Sequence, residues 1–369
     1  MSREGRPFCL WLRAETKPGE RRAALVPEDA ARLVADGVEL AVERSAWRAF
    51  PDAEYERAGC RLVGAGSWEA APERAVVLGL KELPESRAPL RHRHVYFAHA
   101  FKGQQGWEEL LGRFVRGGGT LLDLEYLADD AGRRVAAFGR WAGFGGAAVG
   151  LDLWAHQQLS CEPYPRLDSF PSREALLSGL RPRLAEDSPK AGNAPPVLVL
   201  GAKGRCGGGA LDALREAGVS AGVLAWDVEE TAAGGPFEET LRHDILLNCV
   251  LLSGPTKPFL TREMLGRPRR LSVVSDVSCD PYSPHNPLPV YDKTTTFERP
   301  SLRLKEGAPP LDLTAIDHLP SLLPRESSAD YSAMLRPHLS ALRSGSPVWD
   351  RAAALFDEKT RPLRVGGPT

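Results

Sequence analysis

Lys81 and Glu82 close an apolar run, RAVVLGLKEL, and His99 closes another, RHVYFAHAF. An amine and an imidazole at the ends of two such runs could divide a proton-transfer task, one as base and one as acid/base, if their surroundings shift their pKa values. Lys102 and Gln104 follow closely. An isolated lysine is usually a solvated surface charge, and here both readings stay open. A second constellation is VLVLGAKGRCGGGALDALREAG, residues 197–218, in which Gly201, Gly204 and Gly207 form GxxGxxG. Read from Ala202 the turn is AxGxxG, one letter away from the GxGxxG that receives a dinucleotide pyrophosphate. The run VLAWD ends at Asp227, 23 residues after Gly204. An acid about 20 residues on meets the ribose hydroxyls, and its charge repels a 2′-phosphate, so NAD is favoured over NADP. The alternative is a tight strand-to-helix turn with no ligand. A third set is arginine: Arg22 in GERRAAL, Arg133 and Arg134 in AGRRVAAFG. Guanidinium forks pair with carboxylates in a bidentate way. On their own, these arginines read as surface salt bridges worth little.

The elements that must position these groups alternate. Residues 8–16 read as a strand, then come a helix after Pro27 closed by Gly37, a strand in VELAVERS, and a helix then strand in AEYERAGCRLV. The Lys81 and His99 strands follow, then helix, Gly turn and strand in WEELLGRFVRGGGTLLDLEYL. Strand–helix alternation argues for a parallel α/β sheet. Residues 135–160 read as helical, and Gly143, Gly145 and Gly146 are tolerable there if a second element packs closely. Residues 181–196, rich in proline and charge, read as a surface loop. A second α/β unit follows in PVLVLG, GGALDALREAG, VLAWD, DILLNCVLLS and LSVVSDVS. The stretch from Ile316 to Ser344 reads as helix broken by prolines that packs back on the first unit.

Composition sets the bounds. A chain of 369 residues suggests two domains. Hydrophobic residues at 43% supply real cores, and a net charge of −1 gives no case for nucleic acid or an anionic membrane. No apolar run is long enough for a leader core or a span, so the protein is expected to be cytoplasmic. The six cysteines form no CxxC, and no metal site is expected.

LRAETKPGERRAAL, GSW, GLKELPE, FAHAFKGQQGW, DLEYL, GRRVAAFG, GAKGRCGGGA, VSDVSCDPYSPHNPLP and IDHLPSLLPRE together resemble the fungal-type, NAD-dependent, lysine-forming saccharopine dehydrogenases. The likeness runs from about Leu10 to about Arg351. That family is related in fold to alanine dehydrogenase and the transhydrogenase nucleotide subunit. The resemblance implies α/β architecture with two Rossmann-like, doubly wound domains and the active site in the cleft between them. The substrate domain would be residues 1–137 plus 320–369, and the NAD domain residues 138–319.

The implied reaction is oxidative cleavage of a secondary amine: saccharopine, NAD and water give lysine, 2-oxoglutarate and NADH. By motif, Lys81 matches the base on the secondary amine and His99 the acid/base that activates water. Lys17, Glu20, Glu82 and Glu125 match the ionisable groups that tune the pair, and Lys102 adds positive potential. Arg22, Gln104, Arg134, Phe138, Ser278, Cys279 and Asp280 match substrate contacts. Arg133, Gly204, Arg205, Cys206, Asp227, Thr231, Leu251, Val277, Asp317, His318, Leu319 and Pro320 match NAD contacts. Leu251 stands where the family has an aromatic residue, and Cys279 where it has a smaller one. The resemblance also suggests that Cys206 and Cys249 lie close together, as thiols in a cytosolic protein. The partners would be small molecules, with a monomer as one open state. A related dehydrogenase for another secondary amine or amino acid is the alternative. A non-catalytic NAD-sensing or scaffold protein would be expected to lack the Lys/His pair.

Overall fold

Strand β1 (Cys9–Leu12) is buried along its whole length, as a central parallel strand must be when both faces are covered. The computed structural model describes residues 9–185, 194–252 and 254–365. In chain order there follow α1 (Pro27–Ala35), β2 (Glu39–Glu43), α2 (Asp52–Arg57), β3 (Arg61–Val63), β4 (Ala75–Leu78), β5 (Arg93–Tyr96), α3 (Trp107–Gly117) and β6 (Thr120–Asp123). Then come α4 (Gly139–Leu159), α5 (Arg173–Ala185), β7 (Val197–Leu200), α6 (Arg205–Glu216), β8 (Val223–Trp226) and a single turn, α7 (Val228–Thr231). They are followed by β9 (Ile245–Asn248), β10 (Val273–Asp276), β11 (Leu302–Lys305) and β12 (Leu311–Thr314). Two long helices, α8 (Pro324–Ala341) and α9 (Pro347–Val365), complete the described chain.

These elements form two compact units, one of residues 1–137 and 324–369 and one of residues 138–323. The first unit's sheet has the order β3-β2-β1-β4-β5-β6, parallel throughout. That is the doubly wound order whose ligands sit beyond the carboxyl ends of the strands, at the point where the winding reverses. Here the reversal lies between β1 and β4. α8 is tied into this unit by serines. Ser328 Oγ accepts the Ala23 N–H at 2.9 Å, and Ser332 Oγ accepts the Val26 N–H at 3.1 Å. Both bonds fix the chain immediately after Arg22. α9 packs on β6 and α3.

The second unit's sheet has the order β11-β12-β10-β9-β7-β8, parallel except for the β11–β12 pair. Its winding reverses between β7 and β9. α4 crosses α6 closely enough that glycine is required. A Cβ on Gly143 would lie 1.8 Å from the Cys206 carbonyl oxygen, and one on Gly209 would lie 1.8 Å from that of Arg140. Gly146 faces the Val277 side chain in the same way. The small-residue stretch is therefore a packing seam, and even one added methyl would cost about 1–3 kcal/mol in so tight a contact.

The structure moves several boundaries. β4 and β5 stop three residues short of Lys81 and His99, so both side chains stand on the loops beyond the strands. The helix expected from residue 135 starts at Gly139. Residues 181–185 of the expected loop are helical, with Pro182 inside α5; residues 186–193 lie outside the described residues. Pro337 does not break α8. Among the described residues no helix is long and apolar enough to cross a membrane.

Candidate active site

In the first unit the chemistry-bearing residues gather beyond the carboxyl ends of neighbouring strands. Lys17, Glu20 and Arg22 follow β1, Lys81 and Glu82 follow β4, His99, Lys102 and Gln104 follow β5, and Glu125 follows β6. Residues far apart in sequence thereby meet. Glu82 links two of these loops, with one carboxylate oxygen 3.4 Å from Lys17 Nζ and the other 3.9 Å from His99 Nε2. Burial lowers the Lys81 pKa below the ordinary lysine value. Arg22 and Lys17 push the same way, while Glu20 and Glu82 oppose them. Burial pushes the Glu82 carboxyl up, but its own backbone N–H and the charges of Lys17, Lys81 and His99 together hold it below the usual range. The site thus shifts the Lys81 amine and the Glu82 carboxyl both downward from their ordinary values.

His99 has a backbone φ of 51°, and Cys279 one of 50°; among the described residues these are the non-glycine positions in the left-handed region. Such conformations cost of order 1–3 kcal/mol and persist where surrounding structure enforces them, often at functional sites. Asp123, at the end of the neighbouring β6, accepts the Glu125 N–H at 2.9 Å. Burial pushes the Asp123 carboxyl up to about 6. A cavity of about 450 Å³ borders His99, with Glu82, Trp107 and Arg113 in its lining.

The arginines expected as carboxylate forks have internal partners. Arg22 makes a buried, bidentate pair with Glu20, Nε to Oε1 at 2.8 Å and Nη2 to Oε2 at 2.6 Å. Burial pushes Glu20 up, but the Arg22 charge and hydrogen bonds outweigh it and lower its pKa. Arg134 donates to Glu125 at 2.8 Å, and Arg133 pairs with Asp129 at 3.0 Å. The Gln104 side chain accepts the Lys102 N–H at 2.8 Å, and so shapes its own loop.

The second unit repeats the arrangement at its own strand ends. After β7, Gly201 has a φ of 78°, and a Cβ on Gly207 would lie 2.1 Å from the Gly201 carbonyl oxygen. The turn therefore needs glycine at both positions. Gly204 is the N-cap of α6, with Arg205 and Cys206 in its first turn. Asp227 directly follows β8 and caps α7, accepting from the N–H of Val228 at 2.8 Å and of Lys203 at 2.7 Å. Those two backbone bonds depress its pKa, so it stands ionised at the edge of the glycine turn. Thr231 donates its hydroxyl to the Asp227 carbonyl and is buried. Val277 is buried, and Leu251 is exposed.

Cys206 and Cys249 are free cysteines, and the neighbouring Cys206 thiol together with burial pushes Cys249 well above the usual thiol range. Ser278 donates to Asp276 at 2.7 Å, and Cys279 donates its N–H to the same oxygen at 3.3 Å. Burial, then Asp317, pushes the Cys279 thiol up to about 12, so it is no nucleophile. Asp280 completes this turn, which lies beyond β10. Asp317, His318, Leu319 and Pro320 follow β12. His318 packs on the Phe297 ring at 4.6 Å between centroids, and Leu319 lies against Gly145 and Gly146 of α4. Phe138 is the N-cap of α4.

A curated relative from Neurospora crassa named saccharopine dehydrogenase (NAD(+), L-lysine-forming) is 49% identical to this chain, over 97% of it and 98% of the relative. One of the same name from Yarrowia lipolytica is 48% identical over 98% of this chain and 99% of the relative. This chain belongs to the family of lysine-forming, NAD-dependent saccharopine dehydrogenases. Residues 11–145 match the model of the alanine dehydrogenase/PNT N-terminal domain. A solved L-alanine dehydrogenase covers 96% of this chain, with all of that chain matched, at a TM-score of 0.66 and 18% identity, which extends the likeness in fold to the wider α/β group.

Inspection of sequence motifs passed over two groups in this saccharopine dehydrogenase family member. One is Asp276, a buried carboxylate that takes bonds from Asn248, Ser278, Cys279 and Tyr291 and so holds the turn after β10. The other is the pair Arg13 and Glu15, in phase with Trp11 along and just past β1. Charged residues that keep a strand's buried phase are the signal that would have revealed the pair.

Proposed function

We propose that this protein oxidises saccharopine with NAD and water to L-lysine, 2-oxoglutarate, NADH and a proton, with Lys81 as the base and His99 as the acid/base. The observation that carries the residue roles is their placement, three residues beyond adjacent parallel strands in a chain of this family. The secondary amine must lose a proton to become electron-rich enough for oxidation at its glutarate carbon. Burial and the charges of Arg22 and Lys17 lower the Lys81 pKa and so ease its loss of a proton, the form in which the amine can act as that base. Hydrolysis of the resulting imine needs a group that draws a proton from water and returns one to the departing amine. His99, beside the Glu82 carboxylate, is suited to both transfers. Glu20, Glu82, Glu125, Lys17 and Lys102 set the local potential around the pair.

Arg22, Gln104, Arg134, Phe138, Ser278, Cys279 and Asp280 would bind the substrate. Arg22 and Arg134 would trade part of their hold on Glu20 and Glu125 for substrate carboxylates, which have the same fork geometry. Bound NAD supplies the hydride acceptor. The residues beyond β7 and β8 fit it. The turn has no room for a Cβ at Gly207 and a left-handed backbone at Gly201, α6 presents its N-terminus, and the Asp227 carboxyl, its pKa depressed, stands where a ribose would lie. Arg133, Gly204, Arg205, Cys206, Asp227, Thr231, Leu251, Val277 and the Asp317–Pro320 run would make its contacts. The first unit would serve as the catalytic domain and the second as the dinucleotide domain. A cytoplasmic location, small-molecule partners and a monomeric state belong to the same proposal.

NADH formation with saccharopine, run beside other secondary-amine amino acids, tests the substrate. Saccharopine is expected to give the highest kcat/KM, and turnover of another substrate with none of saccharopine would overturn the assignment. Asp227→Ser tests the cofactor site. The variant should lose NAD affinity and narrow the gap to NADP, because the repulsion of a 2′-phosphate disappears. An unchanged ratio of kcat/KM for the two cofactors would rule out the ribose role.

A further inference from the structure

The backbone of Lys81 is held on both sides by one buried ion pair. Glu15 Oε2 accepts the Lys81 N–H at 2.9 Å, and Glu15 Oε1 accepts the Leu80 N–H at 2.7 Å. Arg13 Nη2 donates to the Lys81 carbonyl oxygen. Arg13 Nη1 and Glu15 Oε2 close the ring at 3.4 Å, with the two side chains only 1% and 9% exposed. Arg13 is itself anchored, its N–H donating to the Leu78 carbonyl at 2.9 Å where β1 pairs with β4. Gly79, two residues before Lys81, is shaped by the same pair. A Cβ there would lie 2.3 Å from Arg13 Nε.

We propose that Arg13 and Glu15 are the positioning residues for Lys81, gripping its N–H and C=O so that the amine projects from a fixed point beyond β4. The inference rests on the reading of Lys81 as the base. Neither side chain need touch substrate. A buried ion pair contributes little net stability compared with well-packed apolar side chains of the same volume. What this one supplies is geometry. The Lys81 loop lies beyond the last ladder residue of β4, where it would otherwise be free to shift, and a displacement of about 1 Å can cost about 10²-fold in rate. The grip also decides how deeply the amine is buried, and burial is the main cause of its lowered pKa.

Glu15→Gln tests the grip. A carboxamide puts an NH2 donor where one of the two acceptor oxygens stands, facing a backbone N–H, so the two-oxygen grip is lost and the loop must shift. The expected result is a kcat lower by about 10²-fold with KM for NAD unchanged. The ascending limb of the pH profile should move to higher pH as the amine leaves its seat. Gly79→Ala, which displaces the Arg13 guanidinium and leaves Glu15 in place, should move both readouts the same way and serves if Glu15→Gln folds poorly. In a Lys81→Met background, adding Glu15→Gln should cost nothing further. The proposal fails if Glu15→Gln and Gly79→Ala both keep the wild-type kcat and pH limb, or if the double variant loses activity multiplicatively. Those failures leave the base assignment standing as long as Lys81→Met is itself slow. A Lys81→Met protein at wild-type rate would sink the base assignment, and this proposal with it.

Discussion

Lys81→Met is expected to lower turnover of saccharopine by about 10²–10⁴-fold, the range for a lost general base. Methionine keeps much of the length and the apolar stem of lysine, so the half-buried seat beyond β4 stays filled and the protein should fold as before. The pH profile carries the sharper information. The base works only as the neutral amine, and an unperturbed lysine reaches that form near pH 10.4. Burial, with Arg22 and Lys17 behind it, lowers that threshold, and Glu20 and Glu82 raise it again. The ascending limb of kcat/KM should therefore lie below the ordinary lysine value. Removing the opposing charge with Glu82→Gln should carry the limb to lower pH still, and Lys17→Met should carry it upward. Steady-state rates across pH in the three variants check this. A Lys81→Met enzyme with a wild-type rate and limb would mean that another group takes the amine proton.

The first sheet was largely legible in the sequence because apolar runs and helical spacing alternate there without interruption, and a parallel sheet follows from that alternation. The same reading identified Lys81, His99 and Asp227, since each follows a run of apolar residues. It missed α5, where Pro182 and flanking charge read as loop although Leu176, Leu177 and Leu180 are buried. It also missed β11 and β12. The alternating burial of β11 marks an edge strand, too short to stand out among its charged neighbours. The largest gap concerns partners. Glu15 and Lys81 are 66 residues apart in the chain, and Asn248 and Asp276 are 28 apart. No local pattern records such a bond, because only the closed sheet brings the strand ends together. The two units share a device in consequence. Each places a buried carboxylate, Glu15 or Asp276, just beyond or at the end of a strand to hold the backbone of a loop at the strand ends: Glu15 the loop after β4, and Asp276 its own loop after β10. In each unit the motif letters that carry chemistry sit on the loop so held, and the carboxylate that holds them looks like ordinary surface charge in the sequence.

His99 offers a test in which stability and activity should part. His99→Gln removes the imidazole and is expected to lower turnover by about 10²–10⁴-fold, since neither proton transfer of imine hydrolysis then has its carrier. It leaves the backbone cost in place, because glutamine is no more at ease than histidine at a φ of 51°. Glycine adopts that conformation without steric penalty, though it loses more entropy on folding. The steric term for an L-residue in the left-handed region is about 1–2 kcal/mol, and glycine's entropy cost in regular structure is about 0.5–1 kcal/mol. His99→Gly should therefore unfold at no lower temperature than His99→Gln while being as slow as it. Thermal unfolding and turnover measured on the two variants decide the matter. If His99→Gly melts well below His99→Gln, the left-handed turn is not a source of strain. If either variant turns over at the wild-type rate, the imidazole is not the acid/base. The expected pairing of an unimpaired fold with a lost rate would mean that the loop holds a costly backbone conformation because the imidazole has to stand there, beside Glu82 and over the end of β5.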